Sequence, residues 1–178
     1  MLTPHSLRVV YPSEVIAARV EKVAQEINAR YKDEPLVMVC VLKGAFMFFS
    51  DLVKLIDVHP EIDFVRLASY GMQSSGGAIT FSKDIDISIK DKHVLIVEDV
   101  IDSGHTMDFL LKQFQARGAK SLRLAVLVDK QERREVDVQA DFTGFVVNEG
   151  FIVGYGLDYA ERYRELPAIY EVVFEENK

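Results

Sequence analysis

The feature that most constrains this chain is an abrupt change of character at residue 98. His93 to Val97 reads as a strand buried on both faces, and it passes without a break into Glu98-Asp99-Val100-Ile101-Asp102-Ser103-Gly104-His105-Thr106. Thr106 to Arg117 then repeats apolar residues at helical spacing and closes at Gly118, an expected C′ residue. In such a strand–turn–helix succession the free N–H groups of the first helical turn converge with the positive end of the helix dipole, which favours a phosphate. Gly104 lets the backbone approach closely, and the hydroxyls of Ser103 and Thr106 can donate hydrogen bonds.

Three carboxylates beside an anion site need other partners. A sugar diol can donate to Glu98 and Asp99, and a hard divalent cation can sit against them with its waters retained, leaving Asp102 free to act as a base. The plainer alternative is that these are strand-end acids making caps and solvated contacts. Neither Gly-x-x-x-x-Gly-Lys-Ser/Thr nor Gly-x-Gly-x-x-Gly occurs, so a P-loop and a dinucleotide fingerprint are both absent.

The rest of the chain alternates between the two periodicities. Ile16, Val20, Val23 and Ile27 line one face of a helix that Ser13 could cap. Leu36 to Leu42 is a buried strand ending at Lys43-Gly44, with a helix expected from Phe46 to Ile56. Further strands are expected over Ile62 to Tyr70, Leu122 to Val128, Phe142 to Val147 and Ile169 to Phe174. The alternation predicts an α/β fold with a central, mostly parallel sheet flanked by helices, and a ligand at the carboxyl ends of the strands. No linker or repeat divides residues 1–178, so one domain is expected. Gly71 to Gly77 is either solvent-facing chain or a mobile lid.

A net charge of −7 argues against duplex nucleic acid as a partner. The longest apolar run is too short for a membrane helix, and Met1 to Tyr11 has no signal-peptide pattern. The single cysteine, Cys40, is expected to be a small buried hydrophobe, and a reducing, cytoplasmic setting follows.

Val97 to Thr106 closely resembles the phosphoribosyl-diphosphate (PRPP) signature of type I phosphoribosyltransferases. The resemblance covers nearly the whole chain, including Leu42-Lys43-Gly44, Ser69-Tyr70-Gly71 and Val153-Gly154-Tyr155-Gly156-Leu157-Asp158-Tyr159. That last stretch and Tyr163-Arg164-Glu165-Leu166-Pro167 look like the hypoxanthine-guanine branch. The resemblance implies the type I fold, with a small hood formed by the N-terminal segment and about residues 140–178, and a mobile loop over about 70–82. It implies purine salvage: transfer of the phosphoribosyl group to N9 of hypoxanthine or guanine, with magnesium as cofactor.

By the same resemblance, Asp102, Ser103, Gly104, His105 and Thr106 wrap the 5′-phosphate, with His105 contributing its backbone, and Asp102 is the catalytic base. Glu98 and Asp99 face the ribose hydroxyls and their metal. Lys43, Gly44 and Arg164 hold the diphosphate, and Ser69 and Tyr70 begin the closing loop. Phe151 stacks on the purine, Ile152 offers backbone contacts, and Asp158 stands near the exocyclic edge and a second magnesium. Gln139 occupies the place where the family usually has a lysine that hydrogen-bonds the 6-oxo group, so Gln139→Lys is expected to tighten base binding. Lys130, nearby in sequence, could substitute for that lysine, but a surface residue after a strand is the better-supported reading. Val147 to Gly150 departs from the proline-containing approach usual in the family. The alternatives are a xanthine-preferring enzyme and a PRPP- or purine-sensing regulator of the same fold. The resemblance also implies a homodimer or homotetramer, with the Lys43 region near the subunit boundary.

Overall fold

Continuous apolar runs of five to nine residues can be satisfied only between two covering layers, and the architecture is built on that requirement. The computed structural model describes residues 4–70 and 78–174. In chain order the elements are β1 (Pro4–Tyr11), α1 (Ser13–Arg30), β2 (Leu36–Leu42), α2 (Phe46–Val53), β3 (Glu61–Tyr70), β4 (Ala78–Lys83), β5 (His93–Ile101), α3 (His105–Ala116), β6 (Ser121–Asp129), β7 (Phe142–Val146), β8 (Ile152–Val153) and β9 (Ile169–Phe174).

The larger sheet has the order β4-β3-β2-β5-β6-β7. All its neighbours pair parallel except β3 and β4, which form an antiparallel edge. Alternation along the central strands feeds two cores. Met38, Cys40, Leu95, Val97, Ala125 and Leu127 pack with Ile16, Val20, Val23 and Ile27 of α1 and Phe48 and Leu52 of α2. Their neighbours Val37, Val39, Val94, Ile96, Leu124 and Val126 face the other way, against Met107, Leu110 and Phe114 of α3. Each fully buried Val, Leu, Ile, Phe or Met among them contributes about 1.5–3 kcal/mol, so the two helical layers lock the central strands in register.

A second, three-stranded sheet has the order β1-β9-β8 and joins segments from the two ends of the described chain. It draws its strands from the N-terminal segment and from the 140–178 region that were expected to form the hood. β7 belongs to the large sheet, because Phe142 and Phe145 pair alongside Ala125 and Val128 of β6. Of the span expected as a mobile loop, about 70–82, Tyr70 ends β3 and Ala78 to Ser82 lie in β4, paired with β3, and residues 71–77 fall outside the described residues. Ser13 is the first residue of α1 rather than its cap; Pro12 takes that place, and its carbonyl accepts from Val15 and Ile16.

Candidate active site

β5 is longer than its apolar run. Its pairing with β6 continues past Val97 to set Glu98 opposite Val126, Val100 opposite Val128 and Ile101 opposite Asp129. Glu98 and Asp99 are therefore strand residues held by the sheet, because β6 still offers backbone partners there. The Asp99 N–H donates to Glu98 Oε1 at 2.9 Å and the Val100 N–H to Asp99 Oδ1 at 2.9 Å. Glu98 is buried, and that burial, reinforced by the neighbouring Asp99 charge, pushes its carboxyl well above the ordinary range. On the adjacent strand Cys40 is buried too; burial first, then Glu98 and Asp99, push its thiol up to about 12, so it is no nucleophile.

The turn that follows is fastened from outside. The Ser103 carbonyl accepts from the N–H groups of Glu135 (2.9 Å) and Val136 (3.1 Å), and Arg134 Nε donates to the Asp102 carbonyl at 3.0 Å. Gly104 caps α3 at φ +94°, a left-handed conformation that favours glycine. The first helical bond runs from Asp108 N–H to the Gly104 carbonyl, which leaves the N–H groups of His105, Thr106 and Met107 without an intrahelical acceptor. A cavity of about 160 Å³ opens against this turn, lined by Glu98, Asp99 and Asp102 to Gly104, with Thr106 and Met107 from the helix. The His105 side chain points elsewhere, to Glu135 at 2.8 Å. Asp102 Oδ1 is buried with no hydrogen-bond partner among the described residues, while Oδ2 lies 3.4 Å from Arg133 Nη1.

A second cavity of about 180 Å³ shares Asp99, Val100 and Asp102 with the first and adds Phe151, Ile152, Leu157, Asp158, Lys130 and Arg133. Phe151 meets Tyr159 and Phe174 edge-on, at 5.4 and 6.2 Å between centroids. Ile152 starts β8, paired with Glu171 of β9. Of the sequence-stated purine residues, Phe151, Ile152 and Asp158 come together here. Gln139 does not. It lines a separate cavity with Asp129, Gln131 and Arg134, and its amide lies 3.4 Å from Asp137. Lys130, read from sequence as a surface residue, lines the shared cavity instead and donates to the Gly150 carbonyl at 2.7 Å.

Lys43 and Gly44 follow the end of β2, beyond a cis Leu42–Lys43 peptide. A Cβ on Gly44 would overlap the Asp99 carboxylate, and one on Gly156 would overlap the Gly44 carbonyl, so three segments meet with no room for side chains. Arg164 donates to the Gly156 carbonyl at 2.8 Å and pairs with Asp158 at 2.8 Å. Lys43 pairs with Glu161 at 2.9 Å, which the Lys43 ammonium and the Arg164 guanidinium together hold below the usual carboxylate range. The backbone of Ser69 and Tyr70 ends β3, pairing with Ile79 and Ala78. Sequence reasoning missed Arg133, Arg134 and Glu161. The two arginines follow Lys130 just after β6, at the carboxyl edge where parallel sheets bind ligands.

Known proteins match this chain along nearly its whole length. The model of the phosphoribosyl transferase domain matches residues 9–160, a span that includes every expected site residue except Arg164. The chain is 44% identical over 163 residues to the hypoxanthine-guanine phosphoribosyltransferase of Bacillus subtilis strain 168, covering 91% of each. It is 43% identical over 172 residues to the hypoxanthine phosphoribosyltransferase of Escherichia coli K12, covering 95% of this chain and 97% of that one. Among solved structures, a hypoxanthine-guanine phosphoribosyltransferase from Bacillus anthracis superposes with a TM-score of 0.90 at 40% identity, covering 97% of this chain and 100% of the other. On these grounds the chain belongs to the phosphoribosyl transferase domain family, on its hypoxanthine-guanine branch.

Proposed function

We propose that this protein serves purine salvage, transferring the 5-phosphoribosyl group of PRPP to N9 of hypoxanthine or guanine and giving IMP or GMP with pyrophosphate. The observation that carries the reading is the turn after β5, where Thr106 and Met107 of the open first helical turn line one cavity while Asp102, whose Oδ1 has no hydrogen-bond partner among the described residues, lines two. In this reading the 5′-phosphate is gripped by Ser103, Gly104, the backbone of His105, and Thr106. The ribose hydroxyls donate to Glu98 and Asp99. The purine lies against Phe151, with Ile152 and Asp158 beside it.

As the bond between the anomeric carbon and the diphosphate oxygen breaks and the bond to N9 forms, the purine must lose a proton. Asp102 accepts it. Lys43, the Gly44 N–H and Arg164 stabilise the departing diphosphate. Lys130, a lysine on the wall of the base cavity, donates to the 6-oxo group, the role the sequence pattern assigned to position 139. Ser69 and Tyr70 lead into the segment that closes over the reaction.

Among the described residues no three His, Cys, Asp or Glu side chains converge as a metal cage. The donor set still fits Mg²⁺, since Glu98 and Asp99 are hard oxygen ligands next to a cavity whose substrate brings further oxygens, and Asp158 offers a second contact. When bound, the cation supplies charge neutralisation of the leaving diphosphate. Among the described residues no helix is long and apolar enough to cross a membrane, and the free thiol of Cys40 suits the cytoplasm. Exposed Phe46, Leu55, Ile62 and Phe64 on and around α2 and β3 support self-association as a dimer or tetramer through that side.

The test is nucleotide formation from PRPP with each base in turn, with and without Mg²⁺. Metal-dependent IMP and GMP synthesis is expected. Turnover of xanthine alone, or tight PRPP binding without product, would replace the reading with one of its alternatives.

A further inference from the structure

The two cations assigned to the diphosphate are already engaged by one anion. Glu161 Oε2 lies 2.9 Å from Lys43 Nζ and 3.2 Å from Arg164 Nη2, so a single carboxylate oxygen bridges both. We propose that Glu161 is a built-in stand-in for the diphosphate, holding Lys43 and Arg164 in position until the incoming diphosphate oxygens displace it. This rests on the reading of Lys43 and Arg164 as diphosphate ligands, and it adds a residue that opposes binding of the same group.

The three partners differ in freedom. Arg164 is anchored by the Gly156 carbonyl at 2.8 Å and by Asp158 at 2.8 Å, and its side chain is only 19% exposed. The Glu161 backbone is fixed as well, with φ +64° and its N–H donating to Asp158 Oδ2 at 2.8 Å. Its side chain is the loose end, 63% exposed, and among the described residues its carboxylate pairs with these two cations alone. Rotation about its side-chain bonds would release Lys43 and Arg164 from Glu161 without moving the backbone, while Arg164 keeps its Asp158 anchor. A phosphate oxygen and a carboxylate oxygen ask the same of an ammonium and a guanidinium, and the diphosphate brings more charge and more oxygens. Exposed pairs of this kind are weak, so the exchange favours the ligand at modest cost, and removing the competitor is worth about two- to fivefold in affinity.

The experiment measures inhibition by inorganic pyrophosphate and the KM values for PRPP and base, in the wild type, Glu161→Gln, Glu161→Ala and Lys43→Ala. Both Glu161 variants are expected to bind pyrophosphate about two- to fivefold more tightly and to lower the KM for PRPP, with the KM for the base unchanged. A side chain that merely braced the loop would give weaker pyrophosphate binding when removed. If Lys43→Ala weakens pyrophosphate binding while the Glu161 variants leave it unchanged or weaken it, the stand-in is refuted and the diphosphate reading survives. If Lys43→Ala changes neither value, the diphosphate reading itself fails and the stand-in falls with it.

Discussion

Gly44→Ala is the sharpest probe of how the site is assembled. Gly44 is buried, and a Cβ built there would overlap Asp99 Oδ2, press on Cγ and stand 3.0 Å from Oδ1. Its three nearest neighbours are thus all atoms of one carboxylate that lines both cavities. Something must move, and overpacking of this kind costs about 1–3 kcal/mol. For a chain of this size the melting temperature should fall by roughly 3–10 °C. Displacing Asp99 by about an ångström should cost about 10- to 100-fold in kcat/KM. The cause can be isolated by a double-mutant cycle. Asp99→Ala deletes all three clashing atoms, so adding Gly44→Ala to that background should cost almost nothing further in stability. The measurements are thermal melts of the four proteins and initial rates of nucleotide formation. Wild-type stability and rate in Gly44→Ala, or costs that simply add, would refute the claimed contact between Gly44 and Asp99.

Two further predictions concern other groups. Lys130→Ala should raise the KM for hypoxanthine and guanine by about 10- to 100-fold, the loss of one hydrogen bond to a charged donor, with KM for PRPP nearly unchanged; Gln139→Lys, in a separate cavity, should change neither. Asp63 is buried, yet the N–H groups of Phe64, Asp86 and Ile87 outweigh that burial and hold its carboxyl below the usual range. Its contribution is therefore full above about pH 4 and is lost as the pH falls through the lowered value, so Asp63→Asn should lower Tm by roughly 3–10 °C at neutral pH and flatten the acid side of the stability profile.

The most legible elements were those whose signal is local. Leu36–Leu42 and Ile169–Phe174 have the bounds that their apolar patterns predict, and Ile16, Val20, Val23 and Ile27 are buried as their spacing requires. β1 escaped notice because it depends on β9, paired from the far end of the chain, and leaves Val9 exposed. β8 is two residues long and has no period to read. In the site, the strand–turn–helix was visible because all its parts are consecutive. The choice between Lys130 and Gln139 was not, because it depends on how the chain after β6 folds back. The Lys130 N–H donates to the Ile101 carbonyl, and Glu135 and Val136 donate to Ser103. These contacts keep Lys130 next to Asp102 and carry Gln139 away, and composition carries no trace of them.

The central claim is that Asp102 takes a proton from the purine while the turn it begins grips the sugar phosphate. Steady-state kinetics of Asp102→Asn tests both halves at once, because the amide keeps the shape and cannot serve as the base. Turnover should fall by about 10²- to 10⁴-fold, with the KM for PRPP held within a fewfold of wild type. Nucleotide synthesis at the wild-type rate by a folded Asp102→Asn protein would contradict the account.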